Sequence, residues 1–213
     1  MATARGPMIT LGGLFVTLEG GEGVGKSTLQ ATLLARAQSE GHQVVTCREP
    51  GGTPIGERLR AALLESADGE IDPTAELLVF EAARAQLVAD VIRPALQRGA
   101  LVISDRFADS SLAYQHHGRG LPADVVAQAN AVATGGLTPD LTVLLDLDPS
   151  EGATRRGKIG DYLEREGDGF HARVRDGFRT LAAAEPARWI VIDASQSADV
   201  VADAIWTALS AKL

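Results

Sequence analysis

The sequence predicts an α/β fold, a parallel sheet covered by helices on both faces. Three observations lead there. Short apolar runs alternate along the chain with longer segments of helical pattern, and strands buried on both faces read as continuous runs of this kind. A glycine-rich turn from Gly20 to Gly25 sits between the first apolar run and the first helical segment. A carboxylate, Asp105, ends another buried run, and in doubly wound sheets the carboxyl ends of strands border a ligand crevice.

The elements follow in order. "LFVTL" (14–18) is the first strand, and "KSTLQATLLARAQSE" is the helix behind the glycine turn, with Gly41 suited to its C-terminal stop. The run 43–47 is the second strand, followed by a helix from Pro54 to Ser66. Asp72-Pro73 offers an N-cap acid and a first-turn proline for a helix reaching Gln97, kinked at Pro94. Strands three, four and five are 100–105, 141–148 and 189–194, with Asp148-Pro149 repeating the helix-entry signal and a closing helix reaching Ala211. No repeat, linker or composition shift divides the chain, so residues 1–213 read as one domain, with 1–12 a disordered extension. The charged, glycine-rich stretch 155–169 breaks the pattern. It reads as a solvated surface loop or, from its place late in the chain, as a mobile lid.

Composition narrows the function classes. Of 213 residues, 45% are hydrophobic and 23% charged, with net charge −8. That balance argues against nucleic acid as a partner, because such binding needs a basic surface. No apolar run approaches the ~20 residues of a membrane span, and the first residues lack the apolar region of a signal peptide. A cytoplasmic protein with no membrane partner is expected. Cys47 is the single cysteine, which excludes an internal disulfide and any multi-cysteine zinc site, and reads as a buried thiol. His116-His117 lacks a third metal ligand in view.

Gly20-Gly21-Glu22-Gly23-Val24-Gly25-Lys26-Ser27-Thr28 satisfies the phosphate-loop pattern, with a strand before it and a helix after it. Glycines let several N–H groups point inward, and the helix adds its positive N-terminal end. Lys26 would reach the β- and γ-phosphates of ATP, and the Ser27 hydroxyl would join a Mg²⁺ shell. Kinases, motors and GTPase switches all use such loops. The sequence has no N-K-x-D guanine reader, and the chain has no room for a motor's extra domains. Asp105 can hold Mg²⁺ directly or through water, or form a structural ion pair with Arg106, whose planar fork also suits phosphate.

"DRFADSSLAYQ" (105–115), "REPGGT" (48–53) and the phosphate loop together resemble the thymidylate kinase family, bacterial type with lid arginines. "FEAARAQ" (80–86) and "PDLTVLLDLDP" (139–149) are similar to family segments in the same chain order. The resemblance implies a P-loop nucleoside monophosphate kinase fold with a five-stranded parallel sheet, a homodimer, and transfer of the ATP γ-phosphoryl group to thymidine monophosphate (dTMP). Residue by residue it implies that Phe80 stacks on thymine and that Arg84 contacts the base or the acceptor phosphate. Arg48 and Arg106 hold that phosphate, Ser110, Tyr114 and Gln115 line the base and sugar pocket, and Glu22 meets the sugar 3′-hydroxyl. Ala194 and Ser195 border adenine. No residue of the phosphate loop's variable positions is basic, so the mobile cation falls to the lid, Arg156 first and Arg155 second. Where the family often has D-R-[IFY]-E, this chain has Asp161-Tyr162-Leu163-Glu164.

Without the resemblance, Phe80 in an apolar helix reads as core and Arg84 as an ion-pair partner. Their spacing puts both on one helix face. A related kinase for another monophosphate or a deoxynucleoside, or an ATP-binding switch without transfer activity, are the other readings.

Overall fold

The structure, a computed structural model, describes residues 12–64, 71–156, 162–163 and 165–213. The start of the chain, the expected end of the second helix and most of the middle of the expected lid lie outside these residues.

Five strands, β1 (Leu14–Glu19), β2 (Val44–Arg48), β3 (Leu101–Asp105), β4 (Leu141–Asp146) and β5 (Trp189–Asp193), form one sheet in the order β2-β3-β1-β4-β5. All pairings are parallel. Register aligns the carboxyl ends: Leu18 and Arg48 both face Asp105, and Asp146 faces Asp193. Glu19, Asp105, Asp146 and Asp193 therefore gather along one edge, each the last residue of its strand.

Alternation along β1 builds the two faces. Val16 and Leu18 join Leu29 and Leu33 of α1 (Lys26–Ser39) and Ile205 and Trp206 of α9 (Ala198–Ser210). Phe15 points the other way, toward Leu87, Ile92, Leu96 and Phe107. Thr17, also buried, donates to the Thr142 hydroxyl at 3.1 Å, so the polar atom is satisfied inside the sheet. Leu33 is fully buried, and truncating such a leucine to alanine costs about 2–5 kcal/mol.

Helix α2 (Pro54–Leu64) precedes α3 (Pro73–Leu87), whose N-cap Asp72 accepts from Thr74 and Ala75 backbone N–H groups at 2.8 and 3.3 Å. Instead of a simple proline kink, a π-helical turn at Val88–Ile92 leads into α4 (Arg93–Gln97). Such a widened turn accommodates the carbonyl left without a partner by Pro94, which has no N–H. Segments without a predicted element are helical. They are α5 (Ala108–Ser111), extended by a π-helical stretch Leu112–Gly118, then α6 (Ala123–Thr134) and α8 (Asp168–Ala184). Strand β4 ends at Asp146 rather than Asp148. Asp148 instead accepts from the Ser150 N–H and hydroxyl at the entry to α7 (Pro149–Arg156). The expected lid thus begins inside α7 and ends inside α8. Among the described residues no helix is long and apolar enough to cross a membrane.

Candidate active site

The chain leaves β1 at Glu19 and curls through Gly20–Gly25 before α1 starts at Lys26. Gly23 (φ 70°) meets α7 closely: a Cβ there would lie 2.1 Å from the Gly152 carbonyl oxygen, and one on Gly152 would lie 2.3 Å from that of Glu22. Two glycines face each other because no side chain fits between loop and helix. Lys26, buried, lays Nζ over the loop and donates to the carbonyls of Gly20 (3.2 Å) and Gly21 (2.7 Å). Burial, then the neighbouring Arg106, lowers its ammonium below the ordinary lysine range. The Ser27 hydroxyl lies 3.1 Å from Asp105 Oδ2, joining the start of α1 to the end of β3.

A cavity of about 440 Å³ opens beside this loop. Glu22, Gly23, Val24, Gly25, Lys26, Ser27 and Thr28 line one side, with Asp105. Arg48, Phe80, Arg84, Arg106, Ser110, Tyr114 and Gln115 line the other. Gly20 and Gly21 lie behind the loop as acceptors for Lys26. Arg155, Ala194 and Ser195 form a separate group, in which Arg155 donates to the carbonyls of Ala194 (2.6 Å) and Ser195 (3.3 Å). Arg156 ends α7, and its side chain lies outside the described residues.

Arg106 organises the meeting of the two sides. Its φ of 70° is left-handed, rare for a non-glycine residue. Hydrogen bonds hold it there: its N–H donates to Leu18 O (3.0 Å), and its carbonyl accepts from the Ser104 hydroxyl (2.7 Å). The guanidinium then reaches Gly20 O (2.9 Å), Glu22, the Tyr114 hydroxyl (3.0 Å) and Ser110 (3.3 Å). Tyr114 also donates to Glu22 at 3.0 Å, and burial pushes its phenol well above the usual range. The acid in the phosphate loop is thus held by the cation and phenol of the opposite wall.

Arg48 pairs with Glu57 at 3.0 Å on the rim. Arg84 differs: its side chain is 1% exposed and its donors go to Glu49 (2.8 Å), Glu81, Ser111 (2.9 Å), Asn130 (2.7 Å) and the Phe107 carbonyl (3.1 Å). It borders the cavity as a buried cross-brace. Burial pushes the Glu49 carboxyl up to about 7 against the pull of Arg84.

Glu49, Glu81, Ser111, Asn130 and the cavity-lining Arg60 were not expected from sequence. Neither was Glu19, whose carboxylate accepts from the Phe107 N–H (2.8 Å) and the Ser110 hydroxyl (2.6 Å). Desolvation and nearby Asp109 push its carboxyl up to about 8. The signal that singles out Asp105, an acid ending a buried strand, applies equally to Glu19. For Arg60 and Asn130 no local signal exists.

A phosphate loop and a set of arginines lining one cavity suit two bound molecules, and so point to a P-loop phosphotransferase acting on a small acceptor. Comparison with known proteins narrows that class. The thymidylate kinase family pattern matches residues 18–205. The chain is 54% identical to a thymidylate kinase of Deinococcus radiodurans, over 93% of this chain and 97% of that one. It is 52% identical to one from Synechococcus sp. (strain JA-3-3Ab), over 94% and 97%. The crystal structure of thymidylate kinase from Ehrlichia chaffeensis superposes with a TM-score of 0.74 at 32% identity, covering 92% of this chain and 98% of that one. The chain belongs to the thymidylate kinase family.

Proposed function

We infer that this chain transfers the γ-phosphoryl group of ATP to dTMP, giving dTDP and ADP and feeding dTTP synthesis. The observation that carries the reading is the shared cavity, which sets Lys26 and Ser27 opposite Phe80, Arg106 and Tyr114. An acceptor phosphate oxygen attacks the γ-phosphorus, and the bond to the β–γ bridging oxygen breaks as ADP leaves. Catalysis of this kind rests on positioning and cationic stabilisation.

The phosphate loop N–H groups and Lys26 hold the β- and γ-phosphates. Arg106 and Arg48 turn the acceptor phosphate toward them, while Phe80 offers its face to thymine and Gln115 and Ser110 its polar edges. Arg84, whose donors are committed to Glu49, Glu81, Ser111, Asn130 and the Phe107 carbonyl, fixes the wall carrying these groups. Glu22, already anchored by Arg106 and Tyr114, accepts from the sugar 3′-hydroxyl, and Tyr114 fills the volume a ribose 2′-hydroxyl would need. Ser27 and Asp105, 3.1 Å apart, suit Mg²⁺, which binds few protein ligands and completes its shell with phosphates and water. Held by Ser27 and Asp105, Mg²⁺ would supply positive charge to offset that of the transferring phosphate. Because Arg155 is engaged at Ala194 and Ser195, it supports the adenine border, leaving the transition-state role to Arg156. The stretch 155–169 acts as the lid.

Helix α3 packs against both α2 and α6, and the three helices expose Ile55, Leu78, Val125 and Val132. An apolar set of this kind supports homodimerisation. Both substrates are charged nucleotides, which membranes retain, consistent with a cytoplasmic enzyme.

The test is coupled ADP release with dTMP, dUMP, dCMP and dGMP and without acceptor. ADP release that depends on dTMP and exceeds that with the others supports the reading. Equal rates with and without acceptor overturn it.

A further inference from the structure

Arg119 follows the π-helical stretch and lies outside the cavity lining, yet it pairs with two carboxylates, Glu76 and Glu166. Its Nη2 and Nε donate to Glu76 Oε2 at 2.9 and 3.2 Å, and Nη1 donates to Glu166. Its guanidinium carbon lies 4.9 Å from the Phe170 ring centre and 5.9 Å from that of Tyr162. Glu76 is fully buried, one turn before Phe80 on α3. Its other oxygen accepts from Gln115 Nε2 at 2.8 Å.

One buried carboxylate therefore serves two partners: Gln115, which lines the cavity, and Arg119, which does not. Through Glu166, Tyr162 and Phe170, Arg119 also pins the stretch just before α8. That stretch delivers Leu163 to the cavity wall, packed in one cluster with Phe80, Tyr114 and Phe170. Only arginine can do this, since a planar fork can bridge two carboxylates while stacking on rings.

We propose that Arg119 is a positioning residue for the acceptor: through Glu76 it orients Gln115, and through Glu166 and Phe170 it seats Leu163. It touches neither substrate. The inference rests on the dTMP kinase reading, which places the acceptor against Phe80 and Gln115, in the cavity that Leu163 also lines. Loss of Arg119 leaves the phosphate loop intact but loosens two sides of the acceptor pocket.

The experiment measures KM for dTMP and for ATP, kcat and Tm in wild type, Arg119→Met, Arg119→Lys and Glu166→Gln. Misplacement of this kind raises the dTMP KM about tenfold in Arg119→Met, with the ATP KM within about twofold. Arg119→Lys, which keeps the charge without the fork, falls between that variant and wild type. Glu166→Gln breaks only the outer arm and raises the dTMP KM about threefold. A parallel rise in both KM values, or a fall in Tm with an unchanged dTMP KM, overturns the proposal. Should Arg119→Met not fold, an unchanged dTMP KM in Glu166→Gln overturns it alone. Wild-type protein without dTMP-dependent ADP release refutes the underlying reading instead, so the two failures are distinct.

Discussion

The two walls of the cavity are made differently. The phosphate-loop wall is largely backbone: seven consecutive residues, Glu22 to Thr28, with curvature set by glycines and a single buried cation, Lys26. The opposite wall is side chain, and its cross-brace at Arg84 gathers Glu49, Glu81, Ser111 and Asn130 from four separate parts of the chain. A backbone wall presents generic dipoles that any phosphate satisfies. A side-chain wall can be shaped to one acceptor, but every buried polar group in it must be matched. Generality and selectivity therefore sit on different walls of one cavity.

The largest effect should come from the backbone wall's single cation. Lys26→Ala should lower kcat by about 10³- to 10⁵-fold, the range spanned by a cation acting on a transferring phosphoryl group. Tm should barely change, since Lys26 donates only to loop carbonyls. Steady-state kinetics with dTMP and a thermal melt check both halves. A large drop in Tm would make Lys26 a structural brace and erase the contrast between the walls.

Arg84→Met reverses the pattern. It leaves Glu49 and Glu81 buried beside each other without their cation, and breaking such a pair costs about 3–5 kcal/mol. For a chain of this size that is a Tm drop of about 10 °C, with lost activity following lost structure. Urea unfolding of the variant measures it. A stability change under about 1 kcal/mol would show that the wall is not braced through Arg84.

Glu22 is where the walls meet, so its substitution tests whether they act separately. Glu22→Gln keeps the loop's shape but weakens its hold on Arg106 and Tyr114. The dTMP KM should rise about tenfold with the ATP KM little changed, the signature of a lost charge-assisted contact on one substrate. Equal rises in both would mean that the acid only shapes the loop.

How much of this was legible follows the same division. All five strands and the phosphate loop can be read from sequence, because apolar runs, glycines and Lys-Ser are local signals. Asp105 is legible too, since an acid at the end of a buried strand has no packing reason to be there. Glu19 obeys the same rule, but the Gly20–Gly25 motif directly after it absorbs the eye. Arg84 and Phe80 are visible only through resemblance, because helix periodicity cannot tell a buried brace from a surface pair. Asn130 and Arg119 are not legible at all: their partners lie 46 and 43 residues away in sequence, and only the fold brings them together. The helices at 108–118 and 168–184 are obscured by polar and glycine residues that serve contacts rather than propensity, among them Ser110 and Gly177, against which His117 packs.

The smallest effect lies behind the phosphate loop, in an arginine cluster that resembles the Arg84 brace in composition but not in burial. Asp146 accepts from Arg175 at 2.8 Å and from Arg179 at 2.7 Å, and the Arg179 side chain is 51% exposed. Partial burial opposes its ionisation, but the hydrogen bonds from the two arginines outweigh this and hold its carboxyl below the usual aspartate range. An acid with a depressed folded pKa contributes stability above its unfolded value, and that contribution fades as pH falls through the folded value. Asp146→Asn should therefore cost at most about 1 kcal/mol at pH 7, because water screens the pair. The gap to wild type should begin to narrow as pH falls below about 3.8, the ordinary aspartate value, and close only once pH has passed the lower folded value. Urea unfolding at pH 7 and pH 3 reads both points. A gap as wide at pH 3 as at pH 7 would assign Asp146 to packing. A cost at pH 7 as large as that of Arg84→Met would show that exposure does not separate the two clusters, and that water screens the Asp146 pairs no more than it does those of Arg84.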